Sequence, residues 1–236
     1  ALSVRAHPGI KGVRGGETEH KLLLYADDIL AVVSDPLSSL PHLMDTIRSE
    51  KMISFTNMQH KYNQKSEAMP LSRPCTPFMV EKFNFKSVRK GMKYLGIKLS
   101  DEISEMVALN FNPLLQKIKT NLDKWGKLKL TLWGKIDVVK MIVAPQFGYV
   151  AMMLPMRIPS STFRQLDDMI GHFLWAGKRP RIKLRKLCTH MEKGGLGLPD
   201  LRLYYLAFEM AKIARYWQTS GNNVAWTEVE KEICSC

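Results

Sequence analysis

Residues 21–34 read KLLLYADDILAVVS: an apolar run, two adjacent aspartates, and a second apolar run. Leu22, Leu23 and Leu24 lead in; Ile29, Leu30, Ala31, Val32 and Val33 lead out. Each run has the length and composition of a strand, and Asp27 and Asp28 fall where a tight hairpin turn belongs. Carboxylates are costly to bury, so a pair flanked by such strands lies at an open turn or is neutralised by cations. Two readings follow. Asp-Asp is a good turn dipeptide in its own right. Two carboxylates at a hairpin tip are equally a seat for Mg²⁺, a hard cation that takes oxygen ligands and serves phosphoryl or nucleotidyl transfer.

Outward from this stretch, 236 residues suffice for one large domain or two modest ones. Hydrophobic residues at 45% and charged residues at 24% argue against wholesale disorder. The balance of 35 Lys and Arg against 22 Asp and Glu, a net +13, favours a polyanionic partner, nucleic acid before membrane. The longest apolar stretch, near Ile142 to Leu154, is interrupted by Pro145 and Gln146, short of the roughly 18 to 20 apolar residues of a membrane span. Cys75, Cys188, Cys234 and Cys236 contain no CxxC pair and suggest neither a disulfide framework nor a complete zinc site. Cys188 with His190 offers two metal ligands at most, and a reduced structural thiol is the simpler reading. An intracellular, reducing location is expected, and the start at Ala1 suits an excerpt or processed product.

Ala1 to His20 is rich in glycine and reads as mostly loop or short strand. Ser34-Asp35-Pro36 breaks the second strand. A helix over about Ser39 to Lys51 follows, with Leu40, Leu43, Met44 and Ile47 as its core stripe. Lys93 to Leu99 (KYLGIKL) alternates Tyr94, Gly96 and Lys98 against Leu95, Ile97 and Leu99, as a half-buried strand would. From Asp101 the pattern becomes helical: Leu114, Leu115, Ile118 and Leu122 share one face, and a further helix follows Gly134. Trp125 and Trp133 read as core anchors. Ile158-Pro159-Ser160 opens a capped helix to about Trp175, with Phe163, Leu166, Ile170, Phe173 and Leu174 inside. Six of the nine residues 178–186 are Lys or Arg. Arg181, Lys183 and Arg185 alternate with apolar residues, so a short strand could aim three cations at phosphate; a solvated charge run is the alternative. Gly194 to Pro199 is glycine-rich but lacks the context of a phosphate-binding loop.

Tyr25-Ala26-Asp27-Asp28 resembles the YADD catalytic hairpin of reverse transcriptases, in particular those of non-LTR (LINE-type) retrotransposons. The likeness continues in order through Asn63-x-Lys65-Ser66, Tyr94-Leu95-Gly96, Trp133-Gly134-Lys135, Tyr149, Ile158-Pro159, Phe173 to Trp175 and Gly194 to Tyr205. It covers roughly residues 1 to 220. The resemblance implies an α+β chain: a partial right-hand polymerase palm over 1–100, a helical thumb over 101–156 and a helical post-thumb segment over 157–236. It implies RNA-templated DNA synthesis from deoxynucleoside triphosphates on an RNA template and DNA primer, with Mg²⁺, or Mn²⁺ in its place. Asp27 and Asp28 would hold metal, Tyr25 would sit by the primer end, and Lys65 would protonate the leaving pyrophosphate; a solvated surface lysine is the alternative. Tyr94, Leu95 and Gly96 would grip the primer. The family draws another metal-binding aspartate from an earlier palm strand, which this sequence lacks. Polymerisation by these residues alone is therefore not expected, and a non-catalytic nucleic-acid-binding relic is the alternative.

Overall fold

The computed structural model describes residues 2–15, 18–26, 28–49, 66–71, 85–88 and 90–218. The chain is mixed α+β, mostly helical with small sheets. It divides into two units: Ala1–Glu102 with Tyr216–Cys236, and Ile103–Arg215. Asp27, Lys65, Cys75, Cys234 and Cys236 lie outside the described residues.

The first unit begins with α1 (Leu2–Ala6), a hairpin of β1 (Val13–Gly15) and β2 (Thr18–His20), and a second hairpin of β3 (Leu22–Tyr25) and β4 (Asp28–Ala31). Helix α2 (Pro36–Ser49) follows. It starts three residues earlier than its apolar periodicity predicts. Asp35 accepts a bond from the Ser38 hydroxyl at 2.8 Å, and its carbonyl takes the Ser39 amide at 3.1 Å. Proline is favoured at the first helical position because its missing N–H would be unpaired there anyway. The residues that seemed only to break the strand therefore also start the helix. Val4, Ile10, Leu22 and Leu43 form a small buried cluster, with Leu40 and Ile47 packed against it. The stripe of α2 thus closes onto α1 and the root of the β3–β4 hairpin.

Two further strand pairs are described in this unit. Strand β5 (Glu67–Ala68) pairs in parallel with β6 (Lys86–Ser87), and β7 (Lys90–Tyr94) pairs antiparallel with β8 (Ile97–Ser100). The KYLGIKL segment is therefore two strands around a turn, a hairpin as the YLG resemblance implies, rather than the single alternating strand its periodicity suggests. Leu95 and Gly96 both have positive φ, 47° and 79°. That pair of values belongs to the tight hairpin turn whose twist matches its strands, and glycine at its second position lowers the cost. Every sheet among the described residues has two strands.

The second unit is helical. Its elements are α3 (Ile103–Gly126), α4 (Leu132–Val138), a π-helical turn (Val139–Val143), α5 (Ala144–Met153), α6 (Ser160–Trp175), α7 (Leu184–Cys188) and α8 (Leu201–Gln218). Pro145 does not break the apolar stretch. A proline in a helix removes one amide and crowds the carbonyl four residues back. The chain absorbs this by widening one turn, so the Ala144 amide reaches the carbonyl of Val139, five residues earlier. Leu132–Met153 thereby has the length and hydropathy of a membrane span. Val139, Val143, Phe147 and Ala151 are wholly buried along one face, with α3 packed on this stretch, while about a third of its most apolar window is buried in all. Among the described residues no helix is clearly transmembrane.

Rings run through this core: Phe111 to Phe147 at 6.1 Å, Phe147 to Phe163 at 5.8 Å and Phe163 to Tyr205 at 5.7 Å. Aromatic pairs at such separations add to simple burial. Helices on both sides of residue 156 pack together, since α6 lies on both α3 and α4. The predicted faces of α3 and α6 are the buried ones. Two expectations fail. Helix α6 is flanked by Pro159 with no side-chain cap. Trp133 is 51% exposed, so of the two tryptophans read as core anchors it is not one.

Candidate catalytic hairpin and basic surfaces

The β3–β4 hairpin is fixed at its root and open at its tip. Arg5 Nη2 donates to the Leu22 carbonyl at 3.4 Å, the Val32 amide to Lys21 at 3.0 Å and the Ser34 amide to Lys11 at 3.0 Å. Lys21 is 7% exposed, and its ammonium donates to the His7 carbonyl at 2.9 Å and pairs with Glu19 Oε2 at 3.2 Å. Glu19 also accepts the Gly12 amide at 2.7 Å. That bond first, then Lys21, holds its carboxyl below the usual range. Gly12 must be glycine: a Cβ there would stand 2.3 Å from the His20 carbonyl oxygen. Lys21, Glu19 and Gly12 form an anchor that the sequence reading missed, because no periodicity marks an ion pair across a hairpin root.

At the tip, Tyr25 pairs with Asp28, so Asp28 opens β4 rather than lying in the turn. Ala26 takes a positive φ of 49°. Asp28 is the first residue of β4, exposed beside an exposed Tyr25. Its carboxylate can meet a cation from solvent without desolvation. Among the described residues no three His, Cys, Asp or Glu side chains come together as a metal cluster. Asp28 is thus the one described member of the proposed ligand pair, and its acidic, oxygen-donor chemistry suits Mg²⁺.

The β7–β8 hairpin is basic. Lys93 stands directly opposite Lys98, both exposed, beside the Leu95–Gly96 turn, with Tyr94 half-buried.

The run after α6 is not a strand. Ala176 and Gly177 end the helix in left-handed conformations, residues 181 and 182 bend, and Lys183 flanks α7. The alternation pattern is too short to outweigh Pro180 and the adjoining helix, so the strand reading of Arg181, Lys183 and Arg185 is corrected. All three are exposed, on a bend and a short helix. The glycine loop has no amides to offer a phosphate. Those of Gly195, Leu196, Gly197 and Leu198 donate to His190, Leu187, Thr189 and Leu187 carbonyls at 3.0–3.1 Å. A Cβ on Gly195 would fall 1.8 Å from the Thr189 oxygen, which explains the glycine structurally.

Two further features were not foreseen. Lys135 Nζ donates to the carbonyls of Phe173 and Leu174 at 2.9 and 3.1 Å, closing the C-terminal end of α6. Asp167, Cys188, Asp200 and Arg202 line an open cavity of about 280 Å³ with Phe163 and Ile170. Burial raises the Asp167 carboxyl and pushes the Cys188 thiol up to about 11, so Cys188 is a neutral thiol. No protein-family model matches the chain.

Proposed function

We propose that this chain is the C-terminal part of a non-LTR retrotransposon reverse transcriptase: the later palm followed by a helical thumb and post-thumb segment. The carrying observation is the YADD sequence on a rigidly rooted hairpin whose tip presents Asp28 to solvent. Asp27 and Asp28 hold Mg²⁺, with Mn²⁺ as a substitute. Held by these carboxylates, the cation would supply Lewis-acid chemistry to the primer 3′-hydroxyl and the triphosphate. Tyr25 lies by the primer end, and Lys65 gives a proton to the departing pyrophosphate. Tyr94, Leu95 and Gly96, at the turn of the basic β7–β8 hairpin, hold the primer strand. Arg181, Lys183 and Arg185 add contacts to the RNA–DNA duplex through charge alone. The setting is intracellular, as a ribonucleoprotein.

A second reading is a non-catalytic nucleic-acid binder, which the net charge of +13 suits equally. Primer extension on an RNA template with Mg²⁺ or Mn²⁺ separates the two. The chain alone should bind but not extend. Joined to an upstream palm strand bearing an aspartate, it should extend, and Asp27→Ala should abolish that. A joined chain that binds primer–template and never extends it would leave only the binding reading.

A further inference from the structure

Helix α8 is apolar on two faces. One is spent inside its own unit: Leu201 is buried, Tyr205 packs on Phe163, and Phe208 closes over Gly148. The other is open. Leu203, Leu206, Met210, Ile213 and Trp217 are 61%, 50%, 64%, 52% and 70% exposed. They recur in steps of three, four, three and four residues, the a and d positions of a heptad. That 3.5-residue period marks a seam made for another helix rather than a face made for water. Ala207 and Ala214 flank the seam with side chains small enough for close approach. The charged residues of α8 lie off this arc, and Glu209 and Lys212 are already paired at 2.7 Å.

We infer that α8 is a self-association surface on which a second copy of this chain seats its own α8. The absence of cations from the arc argues against nucleic acid there, despite the net charge of +13. A heptad seam is self-complementary, so one symmetric pairing covers both copies at once. The area also suffices. Taking about 200 Å² for a large side chain fully exposed, the five present on the order of 600 Å² per chain. Two copies then bury on the order of 1,200 Å², the lower end of stable specific interfaces.

The test is sedimentation equilibrium of the full chain from low to tens of micromolar, after nuclease treatment and at high salt so that nucleic acid bridges nothing. The expected mass rises from one chain of 27.0 kDa to a plateau at two. Leu206→Glu with Met210→Glu should stay at one chain throughout, with unchanged helical circular dichroism. Lys119→Glu, at an exposed position of α3, should still reach two. If the double variant loses its helical signal, Ala214→Lys on the seam's edge carries the same expectation. A wild-type chain monomeric over the whole range overturns the inference. So does a dimer that the seam variants leave intact, or a mass that climbs without a plateau.

Discussion

The β3–β4 hairpin and the 132–153 helix are both apolar stretches, and they meet opposite fates. On the hairpin Leu23, Leu24 and Ile29 are 49%, 42% and 40% exposed. In the helix Ile136, Val139, Val143 and Phe147 are 0% exposed. The difference is partners. Two strands and one short helix cannot enclose both faces of a hairpin, whereas α3, α4, α5 and α6 share one core. Among the described residues the larger buried apolar core thus lies in the helical unit, and the proposed chemistry sits on the other. A catalytic carboxylate needs open water and a cation, so the exposed tip suits its role. The exposed leucines behind it do not, and they form a surface suited to further pairing.

The contrast breaks most visibly at Phe147. Phe147→Ala removes a ring packed between Phe111 and Phe163 and should cost about 3–5 kcal/mol of unfolding free energy. Leu24→Ala on the hairpin should stay within about 0.5 kcal/mol. Urea unfolding followed by helical circular dichroism measures both. Equal effects would mean that the hairpin shares the helical core.

The basic run sharpens the same contrast from the binding side. Replacing Arg181, Lys183 and Arg185 with neutral residues should flatten the plot of log K against log salt by about two to three units. Helical stability should not move, since all three are exposed. An unchanged slope would make the run a solvated face.

Lys135 tests the helical unit by a smaller step. Lys135→Met keeps the aliphatic stem but loses both bonds to the end of α6, at a cost of about 1.5–3 kcal/mol by urea unfolding. A neutral result would show that water replaces the ammonium there.

How far these features were legible depended on range. Apolar periodicity gave the stripes of α2, α3 and α6, because a helix face repeats every few residues and needs no distant partner to be recognised. Asp28 was read as part of the turn but opens β4, since register is set by cross-strand pairing that a single strand does not encode. Arg181 to Arg185 imitated a strand over five residues, too few to outvote Pro180. Trp133 was read inward from its apolar neighbours, but it lies near the start of α4, where the helix presents it outward. Lys135 and Asp167 were invisible for another reason: their partners lie 38 and 35 residues away, Phe173 and Arg202.

Asp167 offers the finest discrimination. Its carboxyl sits above the usual value of 3.8, first because of burial, then because of Asp200 and Asp168, with Arg202 opposing. The folded state therefore binds this proton more tightly than the unfolded chain does. Stability from this group is present at low pH and is lost as pH rises through the unfolded value toward the raised folded one. At neutral pH the ionised carboxylate is a small net cost, discounted for solvent screening because Asp167 is exposed. Asp167→Asn should accordingly raise the melting temperature slightly at pH 7, by less than about 0.5 kcal/mol equivalent. The gain should vanish near pH 3, where the wild-type carboxyl is also neutral. Melting temperatures of both proteins across that range decide it. If the asparagine variant is the less stable at pH 7, Arg202 outweighs burial, and the cavity beside Phe163 is held together by its charges.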